Sequence, residues 1–173
     1  MIDFMIIGMP RSGTTWLSNL FNTGDFYCKH DPLYEMHYSE IDQKVGFAGP
    51  YVKAGVSCTA LWKWPEWVNE HPSRKLIVHR SLVEINASLD GLGLPRIPTY
   101  TATHFDSIIG LHMPYESIWD YDAMADAFEY LTDRPLDINR YRELLRYNVQ
   151  PNFGRIEVDK GAIKKLYNEL ASL

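Results

Sequence analysis

The segment from Phe4 to Phe21 most constrains what this chain can fold into. An apolar run, FMIIG, stops at Gly8, the loop MPRSG follows, and Trp16, Leu17, Leu20 and Phe21 then recur at helical spacing. That order reads as strand, glycine-bearing loop, helix. Tyr27–Lys29 reads as a second short strand, and Gly55–Leu61 as a third. A helix is expected through WPEWVNEH, where Pro65 suits a first-turn position. After Pro72 comes the clearest strand, KLIVH (Lys75–His79), and then the amphipathic segment SLVEINASL. Alternation of this kind predicts an α/β fold: a mostly parallel sheet flanked by helices, with ligands at the C-terminal ends of the strands. Asp90–Pro98 reads as a loop leading into a lid or substrate-facing segment. A last strand is expected at 115–121, helices at 122–131 and 138–147, and a closing helix whose face carries Ile163, Leu166, Tyr167 and Leu170.

With 173 residues, 46% of them apolar, the chain can bury one self-sufficient core, so a single domain over 1–173 is expected. No apolar run approaches the roughly 20 residues that a membrane-spanning helix requires. The N-terminus has no basic lead-in and no small-residue cleavage site, so a cytoplasmic location is the expectation. Cys28 and Cys58 lack the spacing of a metal knuckle, and reduced thiols without a zinc site are expected. A net charge of −5 argues against an extended nucleic-acid surface while leaving room for a local anion pocket.

Gly8–Thr15 follows the phosphate-loop spacing G-x-x-x-x-G-K-[ST], except that Thr14 stands where the lysine belongs. Such a loop wraps backbone N–H groups around phosphate oxygens and sets the anion against a helix N-terminus, a geometry that depends on its glycines more than on its lysine. Arg11 offers a guanidinium two residues before the second glycine. A magnesium-dependent nucleotide triphosphatase would also place an acidic residue at the end of a later strand. KLIVH ends in His79 and Arg80 instead.

The string PRSGTTWL at Pro10–Leu17 resembles the 5'-phosphosulfate-binding loop of sulfotransferases. Arg80 and Ser88 stand at the spacing by which that family holds the donor's 3'-phosphate. The resemblance covers about the first 90 residues and implies a P-loop NTPase-like three-layer α/β/α fold. It implies 3'-phosphoadenosine 5'-phosphosulfate as co-substrate, adenosine 3',5'-bisphosphate as product, and no metal. Carried over by position, Arg11 meets the transferring sulfuryl group, Ser12, Gly13, Thr14 and Thr15 hold the 5'-phosphate, and Arg80 and Ser88 hold the 3'-phosphate. Trp16 stacks on adenine, or else is a core aromatic under the loop.

For the acceptor's general base, one branch of the family uses a KTH motif; its place is filled here by Val56, Ser57 and Cys58. Another branch uses a carboxylate after the second strand, where Asp31 stands with His30 beside it and Glu35 one turn on. Asp31 is the first choice. Lys53, His104 and His112 are candidate acceptor-site groups, and Arg155 stands nearest to the family's C-terminal donor contact. The acceptor is not readable. Two other functions fit the same residues: a nucleotide kinase or NTPase with a degenerate loop, and a non-catalytic nucleotide-binding protein that kept the donor site.

Overall fold

The computed structural model describes residues 1–46, 52–98 and 105–147. Among these residues five strands form one sheet: β1 (Phe4–Gly8), β2 (Phe26–His30), β3 (Lys53–Cys58), β4 (Arg74–His79) and β5 (Leu111–Pro114). Their order is β2-β3-β1-β4-β5, and every pairing is parallel. β1 is central, and all five of its residues are buried. A strand covered on both faces has no polar alternation, which is why FMIIG is apolar throughout.

The pleat divides the core in two. Phe4 and Ile6 of β1, with Leu76 and Val78 of β4, point to one face, while Met5, Ile7 and Ile77 point to the other. On the first face lie α1 (Thr14–Leu20), α5 (Tyr121–Thr132) and α6 (Ile138–Leu145), through Leu17, Phe128 and Leu144 among others. On the second lie α2 (Ile41–Lys44), α3 (Pro65–Glu70) and α4 (Leu82–Asp90), through Ile41, Val68 and Ile85. The result is the expected three-layer α/β/α arrangement. β1 and β3 approach closely because Gly55 sits opposite Phe4, and a Cβ there would enter the Phe4 ring.

Pro65 opens α3 at its first turn, as its fixed φ favours. Asp120 accepts from the N–H groups of Asp122 and Ala123, and Asp137 from that of Asn139, so α5 and α6 both start on an aspartate cap.

Two strands differ from expectation. The third strand is displaced to 53–58, and Leu61–Lys63 forms a 3₁₀ turn. The last strand ends at Pro114, and Tyr115–Trp119, expected to be that strand, is a 3₁₀ helix. Its burial pattern is helical: Ile118 packs inward, and Tyr115 and Trp119 meet edge to face at 5.8 Å. The expected closing helix at 163–170 lies outside the described residues, as do His104 and Arg155. Among the described residues no helix is long and apolar enough to cross a membrane.

Candidate functional site

The Gly8–Thr15 loop leaves the C-terminal end of the central strand and is closed by a turn in which the Ser12 N–H donates to the Met9 carbonyl at 3.1 Å. Gly13 adopts φ 79°, ψ 7°, and a Cβ there would stand 2.7 Å from Ile118 Cδ1. Arg11 also has a positive φ, 69°, which costs a non-glycine residue about 1–2 kcal/mol. Such strain persists where surrounding contacts over-determine it. Here they do: the Arg80 guanidinium donates to the Arg11 carbonyl, and Arg11 Nε donates to Ser88 Oγ at 2.9 Å.

Arg11, Arg80 and Ser88 therefore meet, although 77 residues separate the first from the last. Arg80 follows β4 directly, and its guanidinium lies 4.1 Å from the centre of the Tyr115 ring. Glu84, one helical turn on, is 3.5 Å from Arg80 Nε. Two guanidinium groups at one loop repel each other unless an anion or strong acceptors offset their charge. The Ser12 hydroxyl is fully buried and has no hydrogen-bond partner among the described residues. A buried hydroxyl left unsatisfied costs about 1–3 kcal/mol, so a loop that keeps one is suited to a ligand oxygen.

On the other side of the loop, Ser57 Oγ donates to the Thr14 carbonyl at 2.8 Å and ties the start of α1 to β3. His30, the last residue of β2, places Nε2 3.4 Å from Thr14 Oγ1 and 3.2 Å from Thr15 Oγ1. Asp31 Oδ2 lies 3.4 Å from the same nitrogen. Asp31 Oδ1 accepts from both the N–H and the hydroxyl of Thr59, at 2.6 and 2.9 Å. Half of that carboxylate is thus bound up in holding the β2 and β3 ends together. Glu35 pairs with Lys29 at 2.8 Å.

Trp16 occupies the core. It is 4% exposed, its ring meets Trp119 and Tyr141 edge to face at 5.7 Å each, and its Nε1 donates to the Leu144 carbonyl. The core-aromatic reading of Trp16 describes this position, and stacking on a ligand does not, because so little of the indole is accessible. Lys53 lies away from the loop, paired with Asp133 at 2.6 Å. Cys28 and Cys58 are free and buried; burial pushes the Cys58 thiol up to about 11 and the Cys28 thiol still further, so neither is a ready nucleophile.

Sequence reasoning missed Thr59, Tyr115 and the pairing of His79 with His112. The two imidazoles stack, with His79 Nε2 2.6 Å from His112 Nδ1. The Ile108 carbonyl can only accept, so His112 donates from Nε2 and, when neutral, receives the His79 proton at Nδ1. Burial, reinforced by His112 and opposed by Asp106, lowers the pKa of His79 from 6.5. The unfolded chain then binds this proton more readily than the folded one. The stability involved is fully present above about pH 6.5 and is lost as pH falls below it towards the folded value. Urea midpoints measured between about pH 8 and pH 5 are expected to fall more steeply for the wild type than for His79→Asn. Parallel profiles would exclude this coupling.

A cavity of about 580 Å³ opens beside the loop at Pro10, against Asp31 and Thr59 and under Trp62 and Trp64. Among the described residues no group of three or more His, Cys, Asp or Glu side chains is arranged to hold a metal ion. The strands that flank β1 end in Cys58 and His79, so neither offers a carboxylate beside the loop. A scan against protein-family models, a search of curated proteins and a search of solved structures each return no match to this chain.

Proposed function

We propose that the protein is a sulfotransferase that moves a sulfuryl group from 3'-phosphoadenosine 5'-phosphosulfate to an acceptor hydroxyl or amine. The observation that carries this reading is the convergence of Arg11, Arg80 and Ser88 on a glycine loop that has no lysine. The 5'-phosphate takes the loop N–H groups and the hydroxyls of Ser12, Thr14 and Thr15; the buried, unpartnered Ser12 hydroxyl fits that use. The 3'-phosphate takes the Arg80 fork and Ser88 Oγ. Arg11, which reaches Ser88 without the donor, turns to the bridging oxygen when the phosphate replaces it there.

In the transfer, the acceptor oxygen or nitrogen attacks sulfur in line with the departing phosphate, and the bond from sulfur to the bridging oxygen breaks. That oxygen leaves with the electron pair as part of adenosine 3',5'-bisphosphate, where the Arg11 charge stabilises it. The acceptor's proton passes to His30, and Asp31 Oδ2 offsets the charge that develops on the ring. Asp31, the first choice for the base from sequence, serves here as the partner of His30, because Thr59 already engages its other oxygen.

Thermal unfolding with adenosine 3',5'-bisphosphate, set against ATP plus magnesium, tests the donor site. A ligand at about 100 times its Kd adds about 2.7 kcal/mol. Stabilisation by the bisphosphate and not by ATP with magnesium is the expected result; the reverse would move the assignment to a nucleotide kinase. Binding of the bisphosphate without turnover on any acceptor would leave a non-catalytic nucleotide-binding protein.

A further inference from the structure

We infer that the cavity beside Pro10 is the acceptor site and takes a planar aryl compound with one reacting hydroxyl and a negative charge at its far end, which Lys63 receives. This inference rests on the donor reading above and adds the class of acceptor to it.

The first support is position. The cavity lies at the same C-terminal edge of the sheet as the glycine loop, shares Pro10 with it, and has Asp31 in its wall. An occupant would thus present its inner end to Asp31, whose Oδ2 lies 3.4 Å from His30 Nε2, and to Pro10, the residue before Arg11. At about 580 Å³ the space falls within the usual range for small-molecule sites and accommodates two fused rings.

The second support is the flat, largely aromatic and aliphatic character of the walls. Tyr34, Trp62, Trp64, Leu33 and Ile97 supply flat or apolar surface. Several of the polar side chains in the lining are engaged. Thr59 binds Asp31 Oδ1, its carbonyl accepts from Trp62 Nε1 at 2.8 Å, and the Arg96 guanidinium is held by both oxygens of Asp90. A sugar would give up several hydrogen bonds to water here and recover few, whereas an aryl face loses none and stacks on the indoles. One hydroxyl suits one base, His30 with Asp31 Oδ2 beside it.

The third support is Lys63. It is exposed at the cavity wall, 5.6 Å from the centre of the Trp62 ring, and has no anionic partner among the described residues. Asp90 is paired with Arg96 and Glu35 with Lys29, so neither is available to Lys63. An acidic substituent on the acceptor would meet Lys63, which has no carboxylate on it among the described residues.

The test compares three acceptors with 3'-phosphoadenosine 5'-phosphosulfate as donor: 7-hydroxycoumarin-4-acetate, 4-methylumbelliferone and glucosamine. Each is also titrated calorimetrically into the protein saturated with adenosine 3',5'-bisphosphate. The acetate is expected to bind and react best and glucosamine not detectably. In Lys63→Met the ratio of kcat/KM for the acetate over that for 4-methylumbelliferone is expected to fall about fivefold, through KM, as befits one exposed ion pair. An unchanged ratio overturns the role of Lys63. Reaction with glucosamine in preference to both coumarins, or bisphosphate binding with no coumarin bound, overturns the acceptor class and leaves the donor reading standing. Failure of the bisphosphate itself to bind overturns both.

Discussion

In Arg80→Ala, adenosine 3',5'-bisphosphate is expected to lose most of its stabilising effect. Arg80 stands at the end of β4, stacks on Tyr115 and donates to the Arg11 carbonyl, so it belongs to the loop's scaffold and also faces the place assigned to the 3'-phosphate. Hydrogen bonds to charged groups contribute about 1.5–3 kcal/mol each, so removing the fork weakens binding about 10- to 100-fold. A concentration equal to about 100 times the wild-type Kd then adds only about 0.4–1.4 kcal/mol in place of about 2.7. The unliganded variant also loses a stacked cation worth about 0.5–1 kcal/mol, so its own midpoint is the reference for the shift. Arg80→Lys keeps the charge without the planar fork, and an intermediate response is expected of it. An undiminished shift in Arg80→Ala would remove Arg80 from the donor site.

Phe21→Ala is expected to cost the fold about 3–5 kcal/mol, the range for a fully buried phenylalanine. Phe21 is completely buried at the end of α1, stacks on Phe128 at 4.6 Å with a 28° tilt, and meets Phe4 of the central strand at 5.3 Å. Its ring is where α1, α5 and β1 join. A domain stable by about 5–15 kcal/mol would lose a large part of its margin. The urea midpoint should fall with little change in slope, the signature of lost stability without a changed unfolded state. Because α1 carries Thr14 and Thr15, bisphosphate affinity should fall as well. A loss below about 1 kcal/mol would mean that the site can collapse around the missing ring, and that this cluster does not fix α1 on the sheet.

Much of this was legible in the residues. FMIIG and KLIVH announce buried strands because a strand covered on both faces has no polar side to show. Gly13 announces a left-handed turn because its φ of 79° is costly for any other residue and its missing Cβ leaves room for Ile118. The end of β5 was misplaced because YESIW contains enough β-favouring residues to pass for a strand, and only packing against Tyr141 and α5 selects the helical turn. Trp16 was ambiguous for the same reason. An aromatic beside a loop faces ligand or core according to what the rest of the chain puts there, and Trp119 and Tyr141 come from more than 100 residues further on.

The division follows the range of the forces. Periodicity, glycine conformation and turn chemistry act over a few residues, so the alternation of strands and helices, the form of the Gly8–Thr15 loop and the arginine just after β4 are legible in the residues alone. The order of the strands, the meeting of Arg11 with Ser88, the binding of one Asp31 oxygen by Thr59 and the aromatic cavity beside Pro10 were decided by the tertiary structure. Each of these depends on crossovers that carry the chain over the sheet and bring distant segments to one edge, where burial and hydrogen bonding choose among orientations that are locally equivalent.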